Sequence, residues 1–273
     1  MIIQNRNQTS YRSQFPLSDA QIWAHAPSIM ASTPHASCGA RYSLVSTRDV
    51  LDGLREEGFQ PFEVRQTHVR DESRRDTTKH LIRLRHESRI GVGVGDEVPE
   101  VIVVNSHDGT SSYRIMAGLF RLVCSNGLIA GSLTHDIRVR HSGDVVGDVI
   151  EGSYRVLSDI ASLEDRVEAY RSITLTRPEQ LALATVAMRL RWGDDSPVVP
   201  GSLLTPLRWQ DNYDDLWTTF NRVQEHIVSG GVRGRSATGR RMTTRGVGGV
   251  TENVRINRAL WTLADEMAAI KAA

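Results

Sequence analysis

The sequence predicts an α+β protein with a mixed, mainly antiparallel sheet in its N-terminal half and helices in its C-terminal half. Short β-branched runs that alternate apolar and polar residues dominate residues 1–145. Apolar residues at three- and four-residue spacing dominate residues 146–273. Strands that precede helices, rather than alternate with them, are typical of an α+β fold and not of a doubly wound sheet. We expect the two parts to form one compact unit.

Two helix starts precede the strands. Ser18 and Gln21 have the spacing of a capping box, and Pro27 ends the helix that they open. Thr47 is a candidate N-cap for a second helix, which Gly58 is well placed to end. We therefore expect two short helices ahead of the sheet.

Five segments predict the strands of the sheet. Residues 62–69 and 80–86 alternate polar and apolar side chains, and residues 101–104 form a β-branched run. Residues 113–129 and 137–140 are predicted as further strands, although a helix is an alternative for the first of these two. Gly-, Asn- and Asp-containing turns separate the segments, as an antiparallel sheet requires.

Helical signals dominate the C-terminal half. Thr176 and Glu179 form a capping box before an apolar helix. Residues 216–227 carry apolar side chains at helical spacing, and Gly230 is well placed to end that helix. The apolar stripe of a last helix, residues 256–270, packs on the protein's own core or forms a short dimer seam. A homo-oligomer therefore stays open as an alternative.

Composition excludes several classes of protein. With 40% hydrophobic and 24% charged residues, the 273-residue chain is neither disordered nor collagen-like. It has no run of 18 apolar residues, and its start lacks the basic and apolar regions of a secretory signal. Cys38 and Cys124 are too few for a disulfide framework. We expect a cytoplasmic protein with no membrane contact, and no motif calls for a cofactor.

The net charge of +1 conceals an unusual choice of basic residue. All but two of the 33 basic residues are arginine, whose planar fork grips phosphate bidentately. A GC-rich genome is the alternative cause of this excess. Charge is also sorted along the chain: residues 144–220 hold 7 basic and 13 acidic residues, and residues 221–258 hold 8 and 2. Such asymmetry is consistent with an anionic partner.

The segment from 230 to 250 is the most biased part of the chain, with seven glycines, five arginines and no acidic residue. Glycine keeps a backbone mobile and the arginines repel one another, which predicts a flexible, poorly ordered loop. Such segments wrap phosphate backbones in single-strand binders, and the alternative is a solvated linker. The candidate nucleic-acid-binding residues of this loop are Arg233, Arg235, Arg240, Arg241 and Arg245.

A second basic surface is predicted from residues 65–89, which hold eight basic and four acidic residues. Because side chains alternate along a strand, Arg83 and Arg85 share one face. Aligned arginines of this kind can track phosphates, whereas the alternative is a solvated face with cross-strand ion pairs. The candidate residues of this surface are Arg74, Arg75, Arg83 and Arg85.

A distinctive stretch, NSHDGTSSYRIMAGLFRLVCSNGL, runs from Asn105 to Leu128. It resembles the signature of a phage- and plasmid-related family, domain of unknown function 932, to which YfjQ/YafZ-like prophage proteins belong. The resemblance covers roughly residues 20–229. It implies a role around mobile DNA and brings no established catalytic residue. The signature residues, whose role is unknown, are Asn105, His107, Asp108, Arg121, Cys124 and Asn126.

The same signature offers an enzymatic alternative. His107 and Asp108 are a candidate acid/base pair, or metal ligands together with His135 and Asp136. However, Asp before Gly is also typical of a turn, and no metal-ligand spacing such as Cys-x-x-Cys accompanies them. Cys124 is better explained as a small buried side chain near an Asn-Gly turn than as a nucleophile.

Together these observations predict a non-enzymatic nucleic-acid-binding accessory protein of a phage, plasmid or other mobile element. We expect it to act in DNA replication, recombination or transfer, with single-stranded DNA as the favoured partner. A metal-dependent nuclease or hydrolase is one alternative. A host-interaction protein that acts in defence or counter-defence is another.

Overall fold

The structure, a computed structural model, confirms the α+β class, with an antiparallel sheet followed by helices. It describes residues 9–39, 42, 44–89, 97–121, 126–129, 136–139 and 143–273. These residues belong to two compact units. The first unit takes residues 1–128, 133–160 and 248–250, and the second takes residues 129–132, 161–247 and 251–273.

The main sheet is built from β1 (Ser10–Arg12), β2 (Phe59–Gln66), β3 (His80–His86), β4 (Glu97–Asn105), β5 (Tyr113–Arg121), β6 (Asn126–Ile129) and β7 (Asp136–Val139). The strands follow the order β1-β2-β3-β4-β5-β6, and β7 also pairs with β5. Each strand up to β5 therefore neighbours the next one along the chain. The pairs β1–β2, β2–β3, β3–β4, β4–β5 and β5–β7 are all antiparallel.

The predicted strands agree well with the observed ones. Residues 80–86 coincide with β3, and residues 101–104 lie inside β4. Residues 113–129 contain β5 and β6, so the helical alternative for this segment is wrong. Because β6 begins at Asn126, the Asn-Gly pair belongs to a strand and not to the predicted turn.

The helices are α1 (Asp19–His25), α2 (Thr47–Glu56), α3 (Val145–Ser158), α4 (Ile160–Ser172), α5 (Arg177–Trp192), α6 (Leu216–Ser229) and α7 (Val250–Ala272). The capping boxes predicted at Ser18 and Thr176 are both present, and Gly230 ends α6 as expected. None of these helices is both long enough and apolar enough to cross a membrane.

Helices α2 and α3 position the first unit's core against the sheet. Gly53 on α2 leaves room for Val146 of α3, whose Cγ1 lies 3.0 Å from where a Cβ would stand. Gly152 on α3 does the same for Ile115 of β5, at 2.7 Å. A side chain at either glycine would require these neighbouring side chains to shift. Packing of α3 on the sheet also explains why the first unit extends past residue 145, where the sequence places the change from strands to helices.

The second unit has an aromatic core of its own. Trp217 and Phe220 of α6 stack with ring centroids 5.6 Å apart, and Trp261 of α7 meets Phe220 edge to face at 5.7 Å. In the predicted apolar stripe of α7, Ile256 and Leu260 are buried. That part of the stripe therefore packs inside the protein, which is the first of the two alternatives that the sequence leaves open.

Candidate functional site

The glycine- and arginine-rich segment folds into a β-hairpin, which corrects the prediction of a flexible loop. Strands β8 (Gly230–Arg235) and β9 (Arg241–Arg245) pair antiparallel, with Arg233 opposite Thr243 and Arg235 opposite Arg241. The turn between them is closed by two hydrogen bonds, from Ser236 N to Arg240 O and from Gly239 N to Ser236 O. Backbone N–H and C=O groups of the two strands therefore bond to each other, whereas in a solvated linker they would bond to water.

The inner face of this hairpin packs on the rest of the second unit. Val232 and Thr244 are buried, and the Thr244 hydroxyl accepts a hydrogen bond from Val232 N. At Gly234 a Cβ would lie 2.1 Å from the carbonyl oxygen of Pro197, so only glycine fits there. The next residue, Arg235, donates its backbone N–H to the same oxygen over 2.8 Å. These contacts fix the orientation of the strands.

The outer face of the hairpin is dominated by arginine. Because side chains alternate along a strand, burial of Val232 and Thr244 turns the flanking side chains of both strands outward. Arg240, in the turn, is exposed as well. We call this the arginine face. Its exposed cations are Arg233, Arg235, Arg240, Arg241 and Arg245.

The arginine face carries no carboxylate. None of its five arginines forms an ion pair with any residue that the structure describes, and the one side-chain hydrogen bond runs from Arg235 Nη1 to Gly239 O within the turn. An open depression of about 680 Å³ lies on the hairpin. It is lined by Arg233, Gly234, Arg235, Arg241, Met242 and Thr243.

This arrangement is electrostatically unfavourable without a counter-ion. Like charges directly opposite each other on paired strands destabilise a sheet, and Arg235 faces Arg241 in this way. A bound anion would convert the repulsion into charge-assisted hydrogen bonds, which guanidinium groups make bidentately to phosphate. The arginine face is thus suited to holding a polyanion.

The sheet arginines behave differently, and the prediction of an exposed surface at Arg83 and Arg85 is wrong. Their side chains are only 2% and 8% exposed. Arg83 Nη1 donates to Glu100 Oε2 over 2.9 Å, and Arg85 Nε donates to Glu100 Oε1 over 3.0 Å. Glu63 adds a second carboxylate, with Oε2 3.4 Å from Arg83 Nε. Burial of this charge is tolerated because each guanidinium meets a carboxylate.

Aromatic rings enclose part of the same cluster. The guanidinium of Arg85 lies 4.3 Å from the centroid of Phe62 and 4.5 Å from that of Phe120. Arg12 also lies over Phe120, at 4.7 Å, and pairs with Glu63. Burial raises the pKa of Glu63, but the facing arginines, Arg12 first, outweigh it and hold the pKa below its ordinary value. The guanidinium groups of Arg83 and Arg85 are therefore engaged by carboxylates and aromatic rings inside the sheet and are not exposed to a ligand.

Arg74 and Arg75, the other members of the predicted second surface, lie on the connection between β2 and β3. The Arg74 side chain is 41% exposed, with Nε 3.8 Å from an oxygen of Asp71. The backbone carbonyl of Arg75 accepts a hydrogen bond from Gln66 Nε2. Two half-exposed arginines remain of the four that the sequence assigned to this surface.

The signature residues Asn105 and His107 converge on a single hydroxyl, that of Thr47. Thr47 Oγ1 lies 3.0 Å from Asn105 Nδ2, 3.0 Å from His107 Nε2 and 2.9 Å from His80 Nε2. The hydroxyl of Tyr113 is 3.1 Å away. All five side chains are buried. We call this group the Thr47 network.

Burial controls the ionisation of the Thr47 network. Desolvation, and then the neighbouring His107, lower the pKa of His80 well below its ordinary value. Desolvation raises the pKa of Tyr113. His80 and Tyr113 are therefore neutral at pH 7, and hydrogen bonds to Thr47 join α2 to strands β3 and β4.

Asp108 does not pair with His107 as the enzymatic alternative requires. The Asp108 carboxylate accepts hydrogen bonds from Thr110 N over 3.1 Å and from Thr110 Oγ1 over 2.6 Å, which is a turn-forming arrangement. Burial raises the pKa of Asp108, but the hydrogen bonds from Thr110 outweigh it and lower the pKa. Its neighbour His107 is fully buried. His107 and Asp108, the candidate acid/base pair of the enzymatic alternative, thus have two separate structural roles.

The remaining candidates of that alternative give no metal site in the described structure. His135 and the side chain of Asp136 lie outside the described residues, as does Cys124. Among the residues that are described, no three His, Cys, Asp or Glu side chains are grouped closely enough to hold a metal ion. The signature residue Arg121 is buried, with Nε 3.9 Å from Glu97 Oε1, and only the backbone of Asn126 is described.

Sequence reasoning missed the carboxylates that pair with the sheet arginines and the hydroxyl at the centre of the Thr47 network. Glu100 stands among apolar residues in a β-branched strand, and this signal points to a buried partner, whereas Glu63 lies in a strand of mixed polarity that gives no such signal. Thr47 gave a weaker signal, since a threonine before a helix is expected to cap it. The observed N-cap is Ser46, whose Oγ accepts from Asp49 N.

Comparison with known proteins extends over both units. The family model described as Domain of unknown function (DUF932) matches residues 34–261. UPF0380 protein YafZ and UPF0380 protein YfjQ of Escherichia coli (strain K12) are each 46% identical to this chain over 257 residues. The alignments cover 94% of this chain and 93% of each relative. No solved structure matches the chain. The matched region continues past residue 229, where the signature resemblance ends, and includes the arginine hairpin.

Proposed function

The chain belongs to the DUF932 family, and we propose that it binds nucleic acid through the arginine face of hairpin β8–β9, without covalent chemistry. One observation carries the proposal. Five exposed arginines share a rigid hairpin on which the described structure places no carboxylate, and two of them face each other across the strands. A phosphate backbone is an extended polyanion that neutralises such a row of cations.

The chemistry of the site favours phosphate contacts over base recognition. Guanidinium groups on a hairpin present paired N–H donors to phosphate oxygens, and these contacts position a nucleic acid without reading its sequence. An accessory role in the replication, recombination or transfer of a mobile element suits such binding. The mobile-element setting is the one that the family resemblance implies.

Fluorescence anisotropy with single-stranded and duplex oligonucleotides, at 50 to 200 mM salt, tests the proposal. If the five arginines neutralise about five phosphates, single-strand affinity falls by about 100-fold over this range. Replacing all five by serine weakens binding at low salt and flattens the salt dependence. Unchanged affinity in this variant would exclude the arginine face as the binding surface.

A charge-matched variant separates the arginine face from net charge. Removing five positive charges from a chain of net charge +1 gives −4, and the same total results when five other arginines become serine. These control positions each pair with a surface carboxylate: Arg48, Arg155, Arg171, Arg189 and Arg255. We expect the control variant to keep most of the wild-type affinity. Equal weakening in both variants would attribute binding to overall charge.

A further inference from the structure

A single segment of the second unit holds several of its most exposed apolar side chains. Between residues 199 and 213, Val199, Leu207, Trp209 and Tyr213 are 66%, 56%, 71% and 61% exposed. Apolar side chains stabilise a fold when they are buried, and these four, which are exposed to water, do not make that contribution. Two of the four are aromatic rings, which lie four residues apart.

The two residues that precede this segment contact the arginine hairpin. Pro197 accepts the backbone N–H of Arg235, and the side chain of Val198 contacts the glycine position next to it on β8. From there the chain passes through a 3-10 helix over Pro200–Leu204. The chain immediately before the exposed segment is thus in contact with the strand that carries Arg233 and Arg235.

The rest of the segment is fastened to α6, the helix that leads into the hairpin. Thr205 O accepts from His226 Nε2 over 2.8 Å, and Tyr213 O accepts from Arg222 Nη2 over 3.1 Å. Arg208 forms a bidentate pair with Glu225, at 2.7 and 2.9 Å. Glu225 stands five residues before Gly230, about 7.5 Å along the helix axis.

The backbone around the exposed rings is held rigid. Arg208 also pairs with Asp211 at 2.7 Å, which clamps the 3-10 turn that Trp209 opens. Because the backbone that carries the ring is already braced, less of the chain has to be ordered when a flat partner stacks on it. The exposed ring is therefore prepared for a ligand, and it does not contribute to the aromatic core.

We propose that Trp209 and Tyr213 form a stacking platform for the bases of a single-stranded nucleic acid whose backbone lies on the arginine face. Proteins that bind single strands combine a basic surface with aromatic rings, because every base has a face that stacks and an unpaired strand leaves it accessible. The exposed cations of the hairpin that α6 leads into supply the charge complementarity that selects a polyanion over an apolar protein partner. This inference rests on the proposed function and names the form of nucleic acid that the site takes.

The test compares Trp209→Ala and Tyr213→Ala with wild type in anisotropy titrations against oligo-dT and a duplex of equal length. Loss of one stacked base lowers single-strand affinity by about fivefold or more, while duplex affinity and the slope of affinity against salt stay unchanged. Trp209→Phe keeps a stacking face, so it retains most of the affinity. The proposal also predicts that oligo-dT quenches the tryptophan fluorescence of the wild type, and that Trp209→Phe removes this quenching.

Two comparisons make the outcomes distinguishable. Trp23→Ala removes a tryptophan that is 57% exposed on α1 in the first unit, and it leaves single-strand affinity unchanged. A wild-type protein that binds neither oligonucleotide overturns the proposed function itself. If the wild type binds and the Trp209 and Tyr213 variants bind single strands equally well, only the stacking platform is overturned. Loss of self-association in these variants, with binding intact, would assign the rings to contacts between copies of the chain.

Discussion

At the scale of single residues, the Thr47 network allows the protons to be assigned. His80 Nδ1 lies 3.1 Å from the carbonyl oxygen of Thr78, which only accepts, so that nitrogen carries the proton. The neutral ring then accepts the Thr47 hydroxyl proton at Nε2. This leaves two lone pairs on Thr47 Oγ1, one for Asn105 Nδ2–H and one for His107 Nε2–H. Tyr113 donates to Val45 O over 3.1 Å.

Protonation of His80 breaks this arrangement, which gives a pH prediction. Burial lowers the folded-state pKa of His80, so the unfolded chain binds the proton more readily. The contribution of His80 to the free energy of unfolding is fully present above about pH 6.5. It decreases as the pH falls below this value, by up to about 1.4 kcal/mol per pH unit. Urea unfolding between pH 5.0 and 7.5 measures this slope.

Two variants test whether His80 causes the change of unfolding free energy with pH. His80→Gln cannot titrate, so its unfolding free energy changes less over this pH range, whatever its absolute stability. His68→Gln replaces an exposed histidine and keeps the wild-type slope. An unchanged slope in His80→Gln would show that other groups cause the acid sensitivity.

At the scale of elements, the hairpin shows how packing overrides composition. Seven glycines in this segment predict flexibility, yet at Gly230, Gly234 and Gly246 a Cβ would lie within 3.0 Å of backbone atoms. Gly230 ends α6 with a φ of 72°, and Gly234 seats β8 on Pro197. In this hairpin, glycine allows two backbone segments to come close together, and it does not make the segment flexible.

Gly234→Ala therefore destabilises the hairpin. The new methyl group would meet the Pro197 carbonyl at 2.1 Å, so the strand must move away, at a cost of about 1–3 kcal/mol. Hydrogen exchange at the Arg235 amide, which Pro197 protects, reports the opening directly. Gly201→Ala is the matched control, since nothing lies within 4 Å of its Cβ position. Protection that survives in Gly234→Ala would contradict the close packing.

At the scale of the whole molecule, each unit has its own stabilising centre. The first unit carries the ion pairs around Glu100 and the Thr47 network. The second carries the cluster of Trp217, Phe220 and Trp261, and also the arginine hairpin. Charge is used in opposite ways: the sheet arginines are buried and paired, whereas the hairpin arginines are exposed and meet no carboxylate within the described residues.

Glu100→Gln tests this division. It leaves Arg83 and Arg85 buried without their shared carboxylate, which lowers the unfolding free energy by about 3 kcal/mol. Glu151→Gln, which breaks an exposed pair with Arg155, costs less than about 1 kcal/mol. At a temperature where both variants are folded, oligonucleotide affinity stays within about twofold of wild type. A larger loss in Glu100→Gln would mean that the sheet arginines take part in binding.

The sequence by itself determined the features that depend on near neighbours. The capping boxes at Ser18 and Thr176, the strand His80–His86 and the order of strands before helices all follow from patterns a few residues long. The signature around Asn105 identified the family for the same reason, since a short run of residues carries it. The concentration of arginine at 233–245 was visible too, because charge counts need no fold.

Only the tertiary structure decided which of these residues face solvent. Arg83 meets Glu100 17 residues away, and His107 meets Thr47 60 residues away. Such pairs depend on the register between strands and on the position of α2, which local patterns do not encode. The hairpin likewise depends on Pro197, which lies far from Gly234 in the chain. Burial and pairing are set by these long-range contacts, and they separate the arginines that hold the sheet together from those that remain open to a ligand.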